Sequence, residues 1–327
     1  MNHGADLARR QLIAAGMGAF LGAKPPWAMA QDRTIQTMKL VVPFAAGGLT
    51  DVLARSAAEV MGKHVAQSII VDNRPGAAGH IAAELVARGP ADGSQLAMLS
   101  AGHAGGIAYA SEPVRYDLLK DFTTIGMLGF SPTILVGRKA LNVRDFPALV
   151  SLARSQPGKI SFAAVQNYTV EYLQAMAGVE FNMILYKGAA AAFQDMLAER
   201  VDLMVGTVAD MARLIDSGKF VPIALNSPKR LAEYPGVAPI AEHIPGYRAG
   251  QWYGLFVPAA VPRPTVDRLR VAFGRSVKEP AYLATIAKLS MLPPDLDVDA
   301  FTQEVADTLQ SFQRARRIAR PPAATGR

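Results

Sequence analysis

Two short segments carry residue types and spacings that could bind an anion. Residues 39–55 read KLVVPFAAGGLTDVLAR, and residues 181–200 read FNMILYKGAAAAFQDMLAER. Each passes from an apolar run through an aromatic, Phe44 or Tyr186, into a small-residue turn. An amphipathic stretch follows, with Asp51 or Asp195 in its first turns. A strand that feeds a helix through such a turn leaves backbone N–H groups unpaired at the C-terminal edge of the sheet, and the helix dipole adds to their pull on negative charge. Two such turns, one on each of two lobes and facing each other, would grip a small carboxylate.

These turns need a scaffold of alternating strands and helices, and the rest of the chain supplies that pattern. Short apolar runs at 39–43, 68–72 and 95–99 are each followed by a Gly-containing turn, and runs at 159–163, 181–185, 201–205 and 221–225 alternate with helical periodicity. This reads as an α/β fold with mostly parallel strands. The helix after the first turn aligns Val52, Leu53, Ala57, Val60 and Met61 on one face, with Thr50 placed as its N-cap. Two long extended stretches, 124–138 and 251–258, read as crossings between lobes. The spacing predicts lobe 1 from residues 31–134 plus 251–327 and lobe 2 from 135–250, a clamshell that closes on a ligand.

Composition narrows the function further. Half of the 327 residues are hydrophobic, enough to bury the cores of two lobes. Arg9 and Arg10 precede an apolar stretch from Leu12 to Ala23, and Ala28-Met29-Ala30 offers a small-x-small cleavage site, so residues 1–30 read as a secretory signal peptide. Its export route would be the general secretory one, or the twin-arginine one suggested by Arg9-Arg10. The predicted location is the periplasm. Formal charge is +7, of which the first thirty residues carry +2, and the remaining mild basicity suits an anionic ligand. Basic clusters with interleaved aromatics are missing from the sequence, which argues against nucleic acid. There is no cysteine, which removes disulfides, thiolate metal sites and cysteine nucleophiles together. The five histidines show no metal-ligand spacing, and no Gly-x-Ser-x-Gly, His-Glu-x-x-His or phosphate-loop motif occurs. The expectation is a binding protein without metal or cofactor, not an enzyme.

The blocks PFAAGGLTDVLAR (43–55), VDNRPGAAGHIAAELVARGPADG (71–93), YKGAAAAFQDMLAERVDLM (186–204) and WYGLFVPAAVP (252–262) resemble, in order, those of Bug-type solute-binding proteins. These are the extracytoplasmic receptors of tripartite tricarboxylate transporters. The resemblance implies a type II periplasmic binding-protein fold and a carboxylate held in the interlobe cleft. It implies first-lobe contacts from Phe44, Ala46, Gly47, Gly48, Thr50 and Asp51, with Ser100 and His103 on the same side. In the second lobe it implies Tyr186, Lys187, Gly188 and Ala189, Asp195 on the helix behind, and Thr207 after the strand at 201–205. The family usually places a Ser/Gly-rich turn and a His after the strand at 159–163. Here the run is Ala164-Val165-Gln166-Asn167-Tyr168-Thr169, so Gln166, Asn167 and Tyr168 could meet an amide, a hydroxyl or a ring at the ligand's far end.

Each of these residues also has a purely structural reading. Asp51 would interact with the helix dipole and pair with Arg55, touching ligand mainly if the ligand carries an amine. Asp195 shares that ambiguity. Lys187 is either a ligand cation or a solvated rim charge, and His103 either a ligand contact or a buried hydrogen-bonded histidine. Phe44 and Tyr186 could cap their strands. The loop Arg74-Pro75-Gly76-Ala77-Ala78-Gly79 reads as a scaffold turn, and Trp252 as hinge packing. The partners expected are a small organic acid and a membrane permease, with the protein a monomer. The rival readings are a ligand-sensing partner of a sensor-kinase ectodomain and a hydrolase or lyase on the same scaffold.

Overall fold

The structure is a computed structural model and describes residues 37–248 and 250–319. The signal-peptide expectation falls on residues 1–30, outside the described residues. Among the described residues, ten strands form two five-stranded sheets. The first contains β1 (Met38–Val42), β2 (Ile69–Asn73), β3 (Gln95–Ser100), β4 (Phe122–Ser131) and β10 (Gln251–Pro258), in the order β2-β1-β3-β10-β4. The second contains β5 (Thr133–Arg138), β6 (Ser161–Ala164), β7 (Asn182–Leu185), β8 (Leu203–Thr207) and β9 (Phe220–Asn226), in the order β7-β6-β8-β5-β9.

The strands expected from apolar runs form within a residue or two, but the sheets are mixed rather than mostly parallel. β1 pairs in parallel with β2 and β3, whereas β10 runs antiparallel to both β3 and β4. In the second sheet β6 is parallel to β7 and β8, and β5 is antiparallel to β8 and β9. Chain crossing explains this. β4 runs in the direction of β3, leaves its sheet at Ser131, and enters the other sheet two residues later as β5. It therefore enters from the edge at which β6 and β8 end, and must run against them. β10 makes the reverse journey.

Helices cover both sheets. Those that position the site are α1 (Leu49–Val65), α2 (His80–Ala87), α3 (Ala101–Tyr109), α4 (Phe146–Ser155), α5 (Asn167–Ala177), α6 (Ala189–Leu197) and α7 (Val208–Asp216). Three more, α8 (Arg263–Ser276), α9 (Pro280–Lys288) and α10 (Val298–Ala319), end the described chain. α4 begins where the Asp145 carboxylate accepts the Ala148 N–H at 2.8 Å. α5 ends at Gly178, whose φ of +64° satisfies the left-handed cap.

One apolar cluster packs α1, α8 and α9 on one face of the first sheet, including Leu53, Met61, Leu269, Phe273 and Tyr282. A second joins the two sheets, running from Phe122 and Phe256 through Phe301, Leu309 and Phe312 of α10 to Tyr172, Leu173 and Phe162. Trp252, 2 % exposed, lies in this cluster. Its indole N–H donates to Thr308 Oγ1 at 3.2 Å, and its ring meets Phe301 edge-on. The third cluster covers the remaining face of the second sheet, beneath α6 and α7.

Candidate functional site

The two matching segments both fold as strand, turn and helix, yet they end differently. α1 takes Gly48 as its N-cap, without a side-chain cap, and Thr50 lies inside the first turn, 7 % exposed. Thr50 is therefore not the cap: the turn closes two residues earlier, because Gly47, at φ +89°, lets the chain bend there. The buried Asp51 carboxylate reaches back and accepts the Gly47 N–H at 3.0 Å, and Arg55 Nε donates to the same Oδ2 at 3.0 Å. These contacts, Arg55 first and Gly47 second, hold Asp51 below the usual carboxylate range. The first turn thus spends an N–H on its own carboxylate. Phe44, Ala46, Gly47 and Gly48 stand exposed at this turn, where the Asn73 side chain donates to the Phe44 carbonyl at 3.0 Å.

In the second segment the N-cap of α6 is Gly188, again without a side-chain cap. Asp195 lies in the second turn and is engaged elsewhere: Tyr186 Oη donates to it at 2.8 Å, and Arg200 donates at 3.0 Å. Lys187 is exposed, and Gly188 is half-buried. No carboxylate reaches the first N–H groups of α6 among the described contacts.

A cavity of about 750 Å³ lies where α6 begins. Four helices start on its wall. Ala101 opens α3, Tyr168 and Thr169 lie in the first turn of α5, Ala189 and Ala190 open α6, and Thr207 and Asp210 belong to the start of α7. α5 and α6 have no side-chain cap. α7 is closed by Thr207, whose Oγ1 accepts the Asp210 N–H at 3.1 Å and donates to Asp210 Oδ2 at 2.7 Å. Four positive dipole ends on one cavity make a region that favours negative charge. Arg213, on α7, adds a full charge, its guanidinium carbon 4.8 Å from the Phe193 ring centroid. It forms no ion pair among the described residues.

Of the residues expected from the sequence, Tyr168, Ala189 and Thr207 line this cavity. Gln166 and Asn167 stand at the start of α5 but off its lining, with Asn167 Nδ2 donating to Glu171 at 3.0 Å. Ser100 and His103 lie behind it. The Ser100 N–H donates to His103 Nδ1 at 3.1 Å, so both fix the start of α3 and, through it, Ala101. His103 is fully buried, and burial with the neighbouring His80 pushes its pKa down to about 4. The loop expected to be scaffold presses on it. Gly76, Ala77, Ala78 and Gly79 all adopt positive φ, and a Cβ at Gly79 would stand 2.8 Å from His103 Nε2. Phe44, Ala46, Gly47, Gly48, Thr50, Asp51, Tyr186, Lys187, Gly188 and Asp195 do not line the cavity, so the two turns are not brought together around it.

Several lining residues escaped the sequence reading. Arg213 carries no local motif. Thr133, Asn226, Gln251 and Tyr253 reach the cavity from β5, β9 and β10, and Phe312 reaches it from the distant α10. Tyr168 spans the space between α5 and α3: its ring lies 2.7 Å from where a Gly105 Cβ would be, and its hydroxyl 3.2 Å from where a Gly102 Cβ would be. Burial raises the Tyr168 pKa to about 12, so the hydroxyl stays protonated at neutral pH.

Comparison with known proteins places this geometry among receptors. Residues 53–319 match the family model described as tripartite tricarboxylate transporter family receptor. A UPF0065 protein from the tcbD-tcbE intergenic region of Pseudomonas sp. strain P51 is 31 % identical over 276 residues, covering 81 % of this chain and 82 % of that protein. Protein BugT of Bordetella pertussis is 27 % identical, covering 84 % of this chain and 86 % of its own. Among solved structures, a TctC solute-binding protein from Polaromonas superposes with a TM-score of 0.75 at 25 % identity, covering 85 % of this chain and 97 % of that one. The R. palustris protein Rpa4515 with adipate gives 0.69 at 27 % identity, covering 86 % and 97 %. MatC from Rhodopseudomonas palustris with bound malate gives 0.68 at 26 %, covering 86 % and 98 %. The fold is the two-lobed type II periplasmic binding fold, its relatives are solute-binding proteins and not enzymes, and this chain belongs to the tripartite tricarboxylate transporter family of receptors.

Proposed function

We propose that this protein is a periplasmic receptor that captures a small organic acid in the cavity between its sheets and passes it to a membrane permease of the tripartite tricarboxylate type. The observation that carries this reading is the convergence of the α3, α5, α6 and α7 N-termini, two of them without side-chain caps, on one cavity. The acid's carboxylate takes hydrogen bonds from the open N–H groups of α6 and α5, with Arg213 on the same wall. The relatives solved with adipate and malate support a carboxylate as the ligand. Charge-assisted hydrogen bonds contribute about 1.5–3 kcal/mol each. Three or four, offset by the cost of ordering ligand and lobes, reach roughly the −8 kcal/mol of a micromolar receptor. Ligand touching both sheets stabilises the closed arrangement, which the permease then recognises.

A thermal-shift screen of organic acids beside their neutral amides tests the binding step. The expected result is stabilisation by at least one acid and none by its amide, since only the carboxylate satisfies the helix ends. Equal shifts from an acid and its amide would overturn the anion reading. Delivery is tested by uptake of the bound acid in cells with and without the receptor gene, and location by fractionating cells that express the full chain.

A further inference from the structure

The strand β10 separates the cleft from a second cavity. Successive side chains of a strand point to opposite faces. Gln251 and Tyr253 line the cleft, and Trp252 between them lines a cavity of about 420 Å³ on the other face. Met127 and Phe130 of β4 line it from the first sheet, and Leu225 of β9 from the second. Asn226 and Tyr247 line both cavities, so a thin layer of residues divides them. The second cavity opens between Pro228 and Lys229, which follow β9, and Asp295 and Leu296, which precede α10. An ion pair spans that mouth: Lys229 Nζ donates to Asp295 Oδ2 at 2.9 Å, with both side chains 56 % exposed.

The two chain crossings beside this layer are unequal. Pro132 joins Ser131 to Thr133, and its ring fixes φ. The other crossing is anchored at Arg248, whose guanidinium pairs with Glu304 and Asp307 of α10. Two residues on, Gly250 adopts φ +125°, and a Cβ there would collide with the Phe130 ring. Glycine alone fits, and its backbone can absorb the rotation that lobe closure requires. With the pivot between two cavities, a rotation that narrows the cleft widens the second cavity and stretches the pair across its mouth. We infer that the second cavity is the counter-space of the clamshell, and that the Lys229–Asp295 pair holds the receptor towards the open state. Apparent affinity scales with the fraction of receptor in the binding-competent state, so a pair that never touches ligand sets it. The affinity arm of the test rests on the receptor reading; the distance arm does not.

The chain has no cysteine, so spin labels can be placed singly at chosen sites. Ala46→Cys and Lys187→Cys put them at exposed positions beyond the ends of β1 and β7, on the sheet edges from which α3 and α5 reach the cleft. In the ligand-free full chain, Asp295→Asn and, separately, Lys229→Gln are expected to shift the label distances shorter. Sodium chloride at about 1 M should do the same to the wild-type pair by screening it, and add nothing in Asp295→Asn. Ala241→Phe, which fills the second cavity from an exposed lining position, should also shorten them. In titration with adipate and malate, an acid that the wild type binds should bind each charge variant about two- to fivefold tighter. Unchanged or longer distances in both charge variants overturn the inference. Shorter distances without tighter binding of such an acid overturn it as well. If no organic acid binds any variant, the distances still decide the inference, and the receptor reading alone falls.

Discussion

Single side chains decide which of the two strand-turn-helix segments is free to hold an anion. Asp51 is the third residue of α1, close enough for its carboxylate to take the Gly47 N–H, whereas Asp195 is seventh in α6 and is held by Tyr186 and Arg200. Ala190, exposed in the first turn of α6 and on the cavity lining, allows a direct test. Ala190→Asp places a carboxylate where it favours the helix dipole, by about 0.3–1 kcal/mol, yet repels an anion at the same terminus. Affinity for the acid is expected to fall at least tenfold in titration while the melting temperature of the unliganded protein holds or rises; unchanged affinity would move the carboxylate away from α6. His103 gives a pH signature. Its pKa is about 4 in the folded chain against 6.5 in the unfolded one, so the unfolded state binds more protons between those values. Its contribution is complete above pH 6.5 and is lost as pH falls toward 4, amounting to about 3 kcal/mol. His80, with its ring centre 6.0 Å away and its own pKa lowered by burial, acts in the same direction. Urea unfolding at pH 7.5 and 4.5 should therefore show a marked loss at the lower pH. His103→Gln, which can still accept the Ser100 N–H, should make that loss smaller but not remove it.

At the scale of elements, the packing of α3 against α5 turns on an absent side chain. A Cβ at Gly105 would stand 2.7 and 2.8 Å from two ring carbons of Tyr168, too close to fit without moving the ring. Gly105→Ala gains about 1 kcal/mol of helix propensity but meets an overpacking cost of roughly 1–3 kcal/mol. The expected result is a lower melting temperature and, because Tyr168 lines the cavity, weaker ligand binding. In a Tyr168→Leu background the same alanine should be neutral or stabilising; destabilisation of equal size in both backgrounds would show that Tyr168 is not the obstacle. The strands were legible because apolar runs such as 39–43 and 95–99 are bounded by turn residues, and a buried strand writes itself as such a run. Strand direction was not: β5 and β10 look like any other apolar stretch, and only the crossing between sheets sets them antiparallel. Of the expected residues, Tyr168, Ala189 and Thr207, which sit at helix starts, are those that line the candidate cavity. Asn226, Gln251 and Phe312 come together only through tertiary contacts that no local spacing records. The difference between the two turns was present in the spacing, since a carboxylate four residues beyond Gly47 can satisfy that turn from within.

For the whole molecule, the question is whether two sheets mean two folding units. The crossings at Ser131–Thr133 and at the start of β10 are covalent links, but the stronger coupling is α10. Its Phe301 packs on Trp252 of the first sheet, and its Phe312 packs at 4.6 Å on Tyr172 of α5, beside the second. Tyr172 Oη also hydrogen-bonds Ser311 at 2.6 Å and accepts the Arg248 N–H at 2.7 Å. One apolar cluster therefore runs through both sheets, and neither can lose its packing without exposing the other's. The described residues accordingly form one compact unit. Calorimetry is expected to give a single transition whose calorimetric and van't Hoff enthalpies agree, in spite of the two-sheet architecture. Phe312→Ala, which removes the ring that joins α10 to Tyr172 and Tyr109, should cost about 3–5 kcal/mol and begin to split that transition. A ligand that touches both sheets must raise the whole transition rather than part of it. At a concentration of 100 times Kd it adds about 2.7 kcal/mol, which for a chain of this size raises the midpoint by roughly 4–5 °C. Two resolved peaks in the unliganded wild-type protein, with only one of them moved by ligand, would show instead that each sheet folds alone and that α10 is a tether rather than a shared core.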